Sequence, residues 1–156
     1  MIKEIEPFYG IKTIGLITGC FDVLHVGHLD IFRFAKKQVD ILIVGIDTDE
    51  AIRKTKGNLR PVNSQENRAR MLTSLEDVDY TLLLENKHEL SSEEANDYYD
   101  NLVFGLKPNY LITSKKADNY ISAKQKRIEK VGGKLLLCET PRSTSTSDII
   151  RKILEL

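Results

Sequence analysis

The run Asp40-Ile41-Leu42-Ile43-Val44-Gly45-Ile46 constrains the fold more than any other stretch of the chain. Its branched side chains favour extended backbone. It lacks the apolar-polar alternation of a half-exposed strand, so neither of its faces is suited to water. A strand of this kind belongs inside a parallel sheet covered on both sides. Thr13–Thr18 has the same character. Tyr80–Leu84, Asn109–Thr113 and Lys134–Cys138 supply three further short apolar runs.

Helical patterns separate these runs. From about Gly27, Leu29, Ile31, Phe32 and Phe34-Ala35 recur near helical spacing. Asp47 to Lys54 reads as a short helix, and Asn58 to Val62, with Pro61, as a loop. Asn63 with Glu66 has the form of a capping box, opening a helix to about Leu75 with Met71, Leu72 and Leu75 inward. Ser91 with Glu94 opens another in the same way, ending near Gly105. Ala117 to Val131 is expected to be helical and to stop at Gly132-Gly133. Ser145 or Thr146 caps a last helix carrying Ile149, Ile150, Ile153 and Leu154. The alternation predicts an α/β fold: a Rossmann-like, doubly wound, parallel five-stranded sheet with helices on both faces. In such folds ligands bind beyond the C-terminal strand ends, which directs attention to the loops after the first and fifth strands.

The 156 residues fit a single domain over 1–156 with one sizeable core. Twenty-three basic residues balance 23 acidic ones, which speaks against a broad nucleic-acid-binding face and leaves room for a local basic cluster. Cys20 and Cys138 form no C-x-x-C pair, so reduced thiols in a cytoplasmic protein are expected rather than a metal site. The first residues contain no apolar h-region, and no apolar run approaches the ~18 residues needed to span a membrane.

Gly19-Cys20-Phe21-Asp22-Val23-Leu24-His25-Val26-Gly27-His28 lies between a predicted strand and a predicted helix. Free N–H groups at a helix start favour anions, and glycine admits close approach of a phosphate. His25 and His28, three apart, share one side of a helical turn and can donate to phosphate oxygens. Gly27 keeps side-chain bulk away from the ligand. Metal ligation and a purely structural role remain as other readings of the two histidines. No Cys, Glu or third His stands at a spacing that favours a metal.

The pattern G-x-F-D-x-x-H-x-G-H resembles the signature of the nucleotidyltransferase superfamily that carries the H-x-G-H motif, in the tight form of its small cytidylyltransferase-like branch. Lys56-Gly57-Asn58-Leu59-Arg60-Pro61-Val62-Asn63, then Arg68, is similar to the K-G-x-x-R-P-[VI]-N-x-x-x-x-R stretch of bacterial heptose 1-phosphate adenylyltransferases. Read without that likeness, it is equally a solvated basic loop before a helix. Ser145-Thr146-Ser147-Asp148-Ile149-Ile150 is similar to the family's S-T-T-x-I-I motif, with Ser147 for the second Thr. The likeness spans roughly residues 12 to 153. It departs at Thr113 to Tyr120, where the family's K-G-G-D-Y-like glycines are missing, and around Asn86 to Tyr99, which is longer here.

The resemblance implies transfer of a nucleoside monophosphate, AMP favoured, from an NTP to a small phosphorylated acceptor such as a sugar phosphate, with release of pyrophosphate. A CTP-dependent glycerol-3-phosphate cytidylyltransferase, an FMN adenylyltransferase and a nucleotide-binding module without catalysis are the alternatives. The catalytic candidates are His25, His28, Lys56 and Arg68. The nucleotide-binding candidates are Gly19, Cys20, Phe21, Asp22, Gly27, Ser145, Thr146 and Ser147, with Lys12 and Arg142 as further candidates. Mg²⁺ is expected on the nucleotide phosphates, with no metal site formed by side chains. The partners implied are the NTP and its acceptor, with no nucleic acid and no membrane, in a homodimer. Aminoacylation of tRNA is set aside, because no K-M-S-K-S match is present.

Overall fold

A computed structural model describes residues 2–139 and 144–156. The elements run α1 (Ile2–Ile5), a 3-10 turn at Glu6–Phe8, β1 (Ile14–Gly19), α2 (Val26–Lys36), β2 (Ile41–Ile46), α3 (Asp49–Lys56), α4 (Gln65–Thr73), β3 (Tyr80–Leu83), α5 (Glu93–Leu106), β4 (Tyr110–Ser114), α6 (Ile121–Glu129), β5 (Lys134–Cys138) and α7 (Thr146–Leu154). The five strands form one parallel sheet in the order β3-β2-β1-β4-β5.

Every residue of β2 is buried, as its unbroken apolar run requires. Leu42, Val44 and Ile46 face α2 and α4, packing with Ile17, Ile112, Phe32, Ala35 and Leu72. Ile41 and Ile43 turn the other way, joining Leu16 and Leu111 against Val103 and Leu106 of α5 and Ile128 of α6. The two clusters are the two faces of a doubly wound sheet. Burying each such side chain stabilises the fold by about 1.5–3 kcal/mol relative to exposure, and β2 carries no polar residue.

Several element starts differ from expectation by a residue or more. The α4 cap is Ser64, whose hydroxyl accepts from the Asn67 N–H, and not Asn63. Asn63 is diverted to the β1–α2 loop, where its amide donates to the Asp22 carbonyl at 2.8 Å. Ser92, one residue after Ser91, caps α5 by accepting from the Ala95 N–H. The helix expected from Ala117 begins only at Ile121. Asp118 holds the preceding residues as a loop by accepting from the Tyr120 N–H at 2.7 Å, from Lys124 Nζ at 2.5 Å and from the Thr113 hydroxyl. Gly132, at φ 77°, ends that unit as anticipated, because a side chain is strained in this left-handed backbone.

The register pairs Ile14 with Ile41 and Gly19 with Ile46, so β1 and β2 end level. Cys20 and Asp47 therefore leave the sheet side by side, joined by the Asp47 N–H donating to the Gly19 carbonyl at 3.0 Å. From β1 the chain adds β2 and β3 on one side and then crosses to add β4 and β5 on the other, so the gap between β1 and β4 is the switch point of the sheet.

Candidate active site

A cavity of about 430 Å³ opens over the C-terminal strand ends at this switch point. One wall is formed by the starts of α2 and α7, with His25, Gly27, His28 and Ser145–Ser147. The opposite wall comes from α5 and α6, with Asn96, Tyr99, Lys124 and Arg127. Lys56, the last residue of α3, and Arg60, in the connection to α4, complete the lining.

His25 occupies the cap position of α2 in extended backbone and makes no side-chain cap bond. Its ring stacks on that of His28, with centroids 3.9 Å apart and planes at 24°. The three-residue spacing thus brings the imidazoles together, as expected. The edge of Phe21 supports His28 from below at 5.3 Å, and Phe21 in turn meets Phe32 at 5.3 Å. Phe21 is therefore a core residue that props up His28. It sits at φ 48°, and a Cβ at Gly19 would come 3.0 Å from its ring. A Cβ at Gly27 would press the His25 ring at 3.1 Å, so this glycine makes room for a protein side chain as well as for a ligand.

His28 Nδ1 is buried and has no hydrogen-bond partner among the described residues. Burial, then the neighbouring His25 and Lys56, push the His28 pKa from 6.5 down to about 3. The folded protein thus holds a neutral imidazole where the unfolded chain would hold a cation below pH 6.5. Between pH 6.5 and about 3 the unfolded state binds more protons, so stability falls as the pH drops through that window. Melting curves of the unliganded protein at stepped pH should show it losing stability relative to His28→Asn as the medium is acidified. Parallel curves for the two proteins would contradict this environment for His28.

Asp22 is fully buried and serves the loops. Its carboxylate accepts from Arg60 Nε at 2.7 Å, from the Val62 N–H at 2.8 Å and from the Asn63 N–H at 2.9 Å. Burial alone would raise its pKa, but those N–H groups and the guanidinium outweigh it and hold the carboxyl below its usual range. Asp22 therefore fixes Arg60-to-Asn63 against the H-x-G-H loop. Arg60, which sequence reasoning left out of the site, is positioned by this bond. Its Nη2 is buried and has no hydrogen-bond partner among the described residues. The signal was present in the R-P pair, but nothing in the spacing says which arginine faces the cavity.

Arg68 does not. Its side chain is 0% exposed. It donates to the Cys20 carbonyl at 2.5 Å, the Asp47 carbonyl at 2.8 Å, the Asn63 carbonyl at 3.1 Å and Asp49 Oδ1 at 2.6 Å. The expectation that it grips a phosphate is replaced by a clasp on the ends of β1 and β2. Lys12 is also misplaced by that expectation. It precedes β1, at the opposite edge of the sheet, about 20 Å of strand away. Arg142 lies outside the described residues.

Ser145 caps α7: its hydroxyl accepts from the Asp148 N–H at 3.1 Å and donates to Asp148 Oδ2 at 2.5 Å. Thr146 Oγ1 donates to the Val23 carbonyl at 3.2 Å, tying α7 to the β1–α2 loop. Ser147 lines the cavity with them. Burial and Asp47 push the Cys20 thiol up to about 11, against the opposing pull of Lys56, so it is a protonated donor and not a nucleophile. It reaches Asp47 Oδ2 at 3.6 Å. Among the described residues no group of three or more His, Cys, Asp or Glu side chains is placed to hold a metal, and no helix is long and apolar enough to cross a membrane.

The sheet order, the histidine pair between strand and helix and the adjoining α7 start match a known group. The chain belongs to the cytidylyltransferase-like family of nucleotidyltransferases, whose family model matches residues 16–152. Among individual proteins it is similar to the bifunctional protein HldE of Campylobacter fetus subsp. fetus, 37% identical over 91% of this chain and 28% of that protein. It is similar also to the HldE protein of Geobacter sulfurreducens, 34% identical over 99% of this chain and 31% of that one. The chain thus spans less than a third of these relatives. In fold it resembles the lipopolysaccharide core biosynthesis protein from Thermoplasma volcanium GSS1, with TM-score 0.66 at 23% identity over 83% of this chain and 98% of that one. It resembles the pantoate-beta-alanine ligase from Francisella tularensis as well, with TM-score 0.59 at 20% identity over 99% of this chain and 76% of that one.

Proposed function

We propose that this chain transfers a nucleoside monophosphate, AMP by preference, from an NTP to a small phosphorylated acceptor such as a sugar phosphate, and releases pyrophosphate. The observation that carries the reading is the stacked His25–His28 pair beside the start of α7, on the wall of a cavity that Lys56 and Arg60 also line. Four basic side chains converge on a volume suited to polyphosphate. The preference for AMP leans on the likeness of Lys56–Asn63 and Arg68 to heptose 1-phosphate adenylyltransferases and on the similarity to the HldE proteins.

In this reading an acceptor phosphate oxygen attacks the α-phosphorus in line, forming a new P–O bond as the bond to the bridging oxygen of pyrophosphate breaks. The acceptor phosphate is ionised at neutral pH, so no general base is required. His25 and His28 donate to the α- and β-phosphate oxygens as charge develops there, and Lys56 and Arg60 hold phosphate oxygens of the two substrates. Arg68 and Asp22 keep these groups in place without touching substrate. Mg²⁺ would be held by the nucleotide's own oxygens and water and would neutralise charge on the leaving pyrophosphate. A homodimer remains part of the proposal and is read by sedimentation.

Thermal denaturation with ATP, CTP, GTP and UTP, each with Mg²⁺, tests the reading. A ligand at about 100 times its Kd adds about 2.7 kcal/mol, which raises the melting point of a chain this size by about 5–10 °C. ATP is expected to give the largest rise, whereas a larger rise with CTP would move the reading to the cytidylyltransferase alternative. If no NTP shifts the melting point and no acceptor yields pyrophosphate, the transferase reading fails. NTP binding without pyrophosphate from any acceptor would leave a binding module.

A further inference from the structure

The wall formed by α5 and α6 carries polar groups that nucleotidyl transfer, as argued above, does not use. Asp47 lies at the end of β2 and is 3% exposed. It lines the cavity, and its carboxylate accepts from the Tyr99 hydroxyl and from the Cys20 thiol at 3.6 Å. Both donors are neutral. Burial raises the Asp47 pKa, against the opposing pull of Tyr99, Cys20, Lys124 and Arg68, and burial with Asp47 keeps Tyr99 a phenol. Two cations of this wall are paired with other carboxylates. Arg127 donates to Asp100 at 2.8 Å and to Asn96 Oδ1 at 3.2 Å, with its guanidinium 5.4 Å from the centre of the Tyr99 ring. Lys124 donates to Asp118 at 2.5 Å.

Leu90 closes this part of the cavity, and the long segment after β3 is fixed so as to hold it there. The Leu90 N–H donates to the Thr55 hydroxyl at 3.0 Å, Lys54 Nζ donates to the Lys87 carbonyl at 2.6 Å, and the Thr48 hydroxyl donates to the Asn86 carbonyl. The longer insert is therefore a built wall fastened to α3, and the compartment behind it contains a carboxylate, a phenol, an amide and an aliphatic face. Cys20 links the compartment to the phosphate groups, because it contacts Asp47 and feels Lys56.

We infer that Asp47 and Tyr99, with Asn96 beside them and Leu90 as the wall, set acceptor specificity by reading hydroxyl groups on the uncharged part of the acceptor and excluding a second anionic group there. A buried carboxylate has lone pairs to spare beyond two donors and accepts hydroxyl protons readily. A carboxylate brought beside it faces the Asp47 carboxyl at short range, while Arg127 and Lys124 on this wall are already paired with Asp100 and Asp118. A site built to bond a hydroxyl discriminates strongly against analogues that leave its buried groups unpaired. The inference rests on the transferase reading and concerns a different wall of the same cavity.

Glucose 1-phosphate and glucuronic acid 1-phosphate differ only in a hydroxymethyl group against a carboxylate, and serve as probes with ATP and Mg²⁺. Wild-type protein is expected to release pyrophosphate with glucose 1-phosphate at a kcat/KM at least about tenfold above that with glucuronic acid 1-phosphate. Asp47→Asn should cut this preference to about threefold or less. Tyr99→Phe should lower kcat/KM for glucose 1-phosphate about tenfold, chiefly through acceptor KM, with the ATP Kd by calorimetry unchanged. Leu90→Trp fills the compartment without removing a hydrogen bond, and should abolish use of the sugar phosphate while ATP still binds. Equal use of the two probes, turnover with neither, or variants that weaken ATP binding and not acceptor KM would each overturn the inference. Failure of wild-type protein to bind any NTP would instead strike the transferase reading itself.

Discussion

Replacing His28 with alanine is expected to lower kcat by about 10²- to 10³-fold, the usual cost of losing one donor aimed at developing charge. His28 is buried, stacked on His25 and propped by Phe21, so its ring is held before any ligand arrives. Its Nδ1 lacks a partner among the described residues, and burial keeps the ring a neutral imidazole. A polar group kept in that condition costs stability when the site is empty, and is useful only when an anion comes to meet it. The variant should therefore melt near the wild-type temperature and bind ATP with little change. Most of its loss should fall on kcat, because the interaction strengthens as the α-phosphate accumulates charge. Turnover by the alanine variant within about threefold of wild type would remove His28 from the mechanism.

The second large effect is of another kind. Arg68→Ala is expected to destabilise the unliganded protein by about 3–5 kcal/mol, the range seen when one partner of a buried ion pair is removed. Asp49 would lose its partner, and the carbonyls of Cys20, Asp47 and Asn63 would each lose a donor. Against a typical total stability of 5–15 kcal/mol this is a large fraction, so the urea midpoint should fall by about 2 M. The measurement separates two roles for the same residue. A phosphate-holding arginine would raise the ATP Kd and leave the unliganded midpoint nearly in place. A clasp on the strand ends should move the midpoint with no ligand present. An unchanged midpoint together with weakened ATP binding would restore Arg68 to the phosphate site.

The two arginines also show how far the site could be read from the chain. Both belong to one motif, eight positions apart, and both carry the same charge. Arg60 sits in a loop that Asp22 draws toward the H-x-G-H segment. Arg68 lies in the second turn of α4, above the level ends of β1 and β2. Strand ends leave carbonyl oxygens with no ladder partner, and a buried carbonyl must find a donor. Arg68 is the donor nearest to two of them, so packing turns it away from the cavity. Asp47 and Tyr99 were invisible for a related reason. Their contact spans fifty-two positions and depends on α5 crossing beside the end of β2.

The short-range patterns were legible in outline. The apolar runs announced buried strands, and their spacing announced a doubly wound sheet, because one continuous apolar strand can be covered only from two sides. Histidines three apart at a helix start had to share a face, and they do. Small errors arose where a side chain had a choice of partners. Asn63 could have capped α4 but bonds the Asp22 carbonyl instead, and Asp118 holds as loop what its neighbours would allow as helix. The amino-acid sequence by itself therefore determined the sheet, its order of elements and the H-x-G-H motif between strand and helix, since each rests on residues close together in the chain. Only the tertiary structure decided which charged groups face the cavity and which are spent on the backbone, because buried polar atoms choose partners across the whole chain and satisfy the strand ends first.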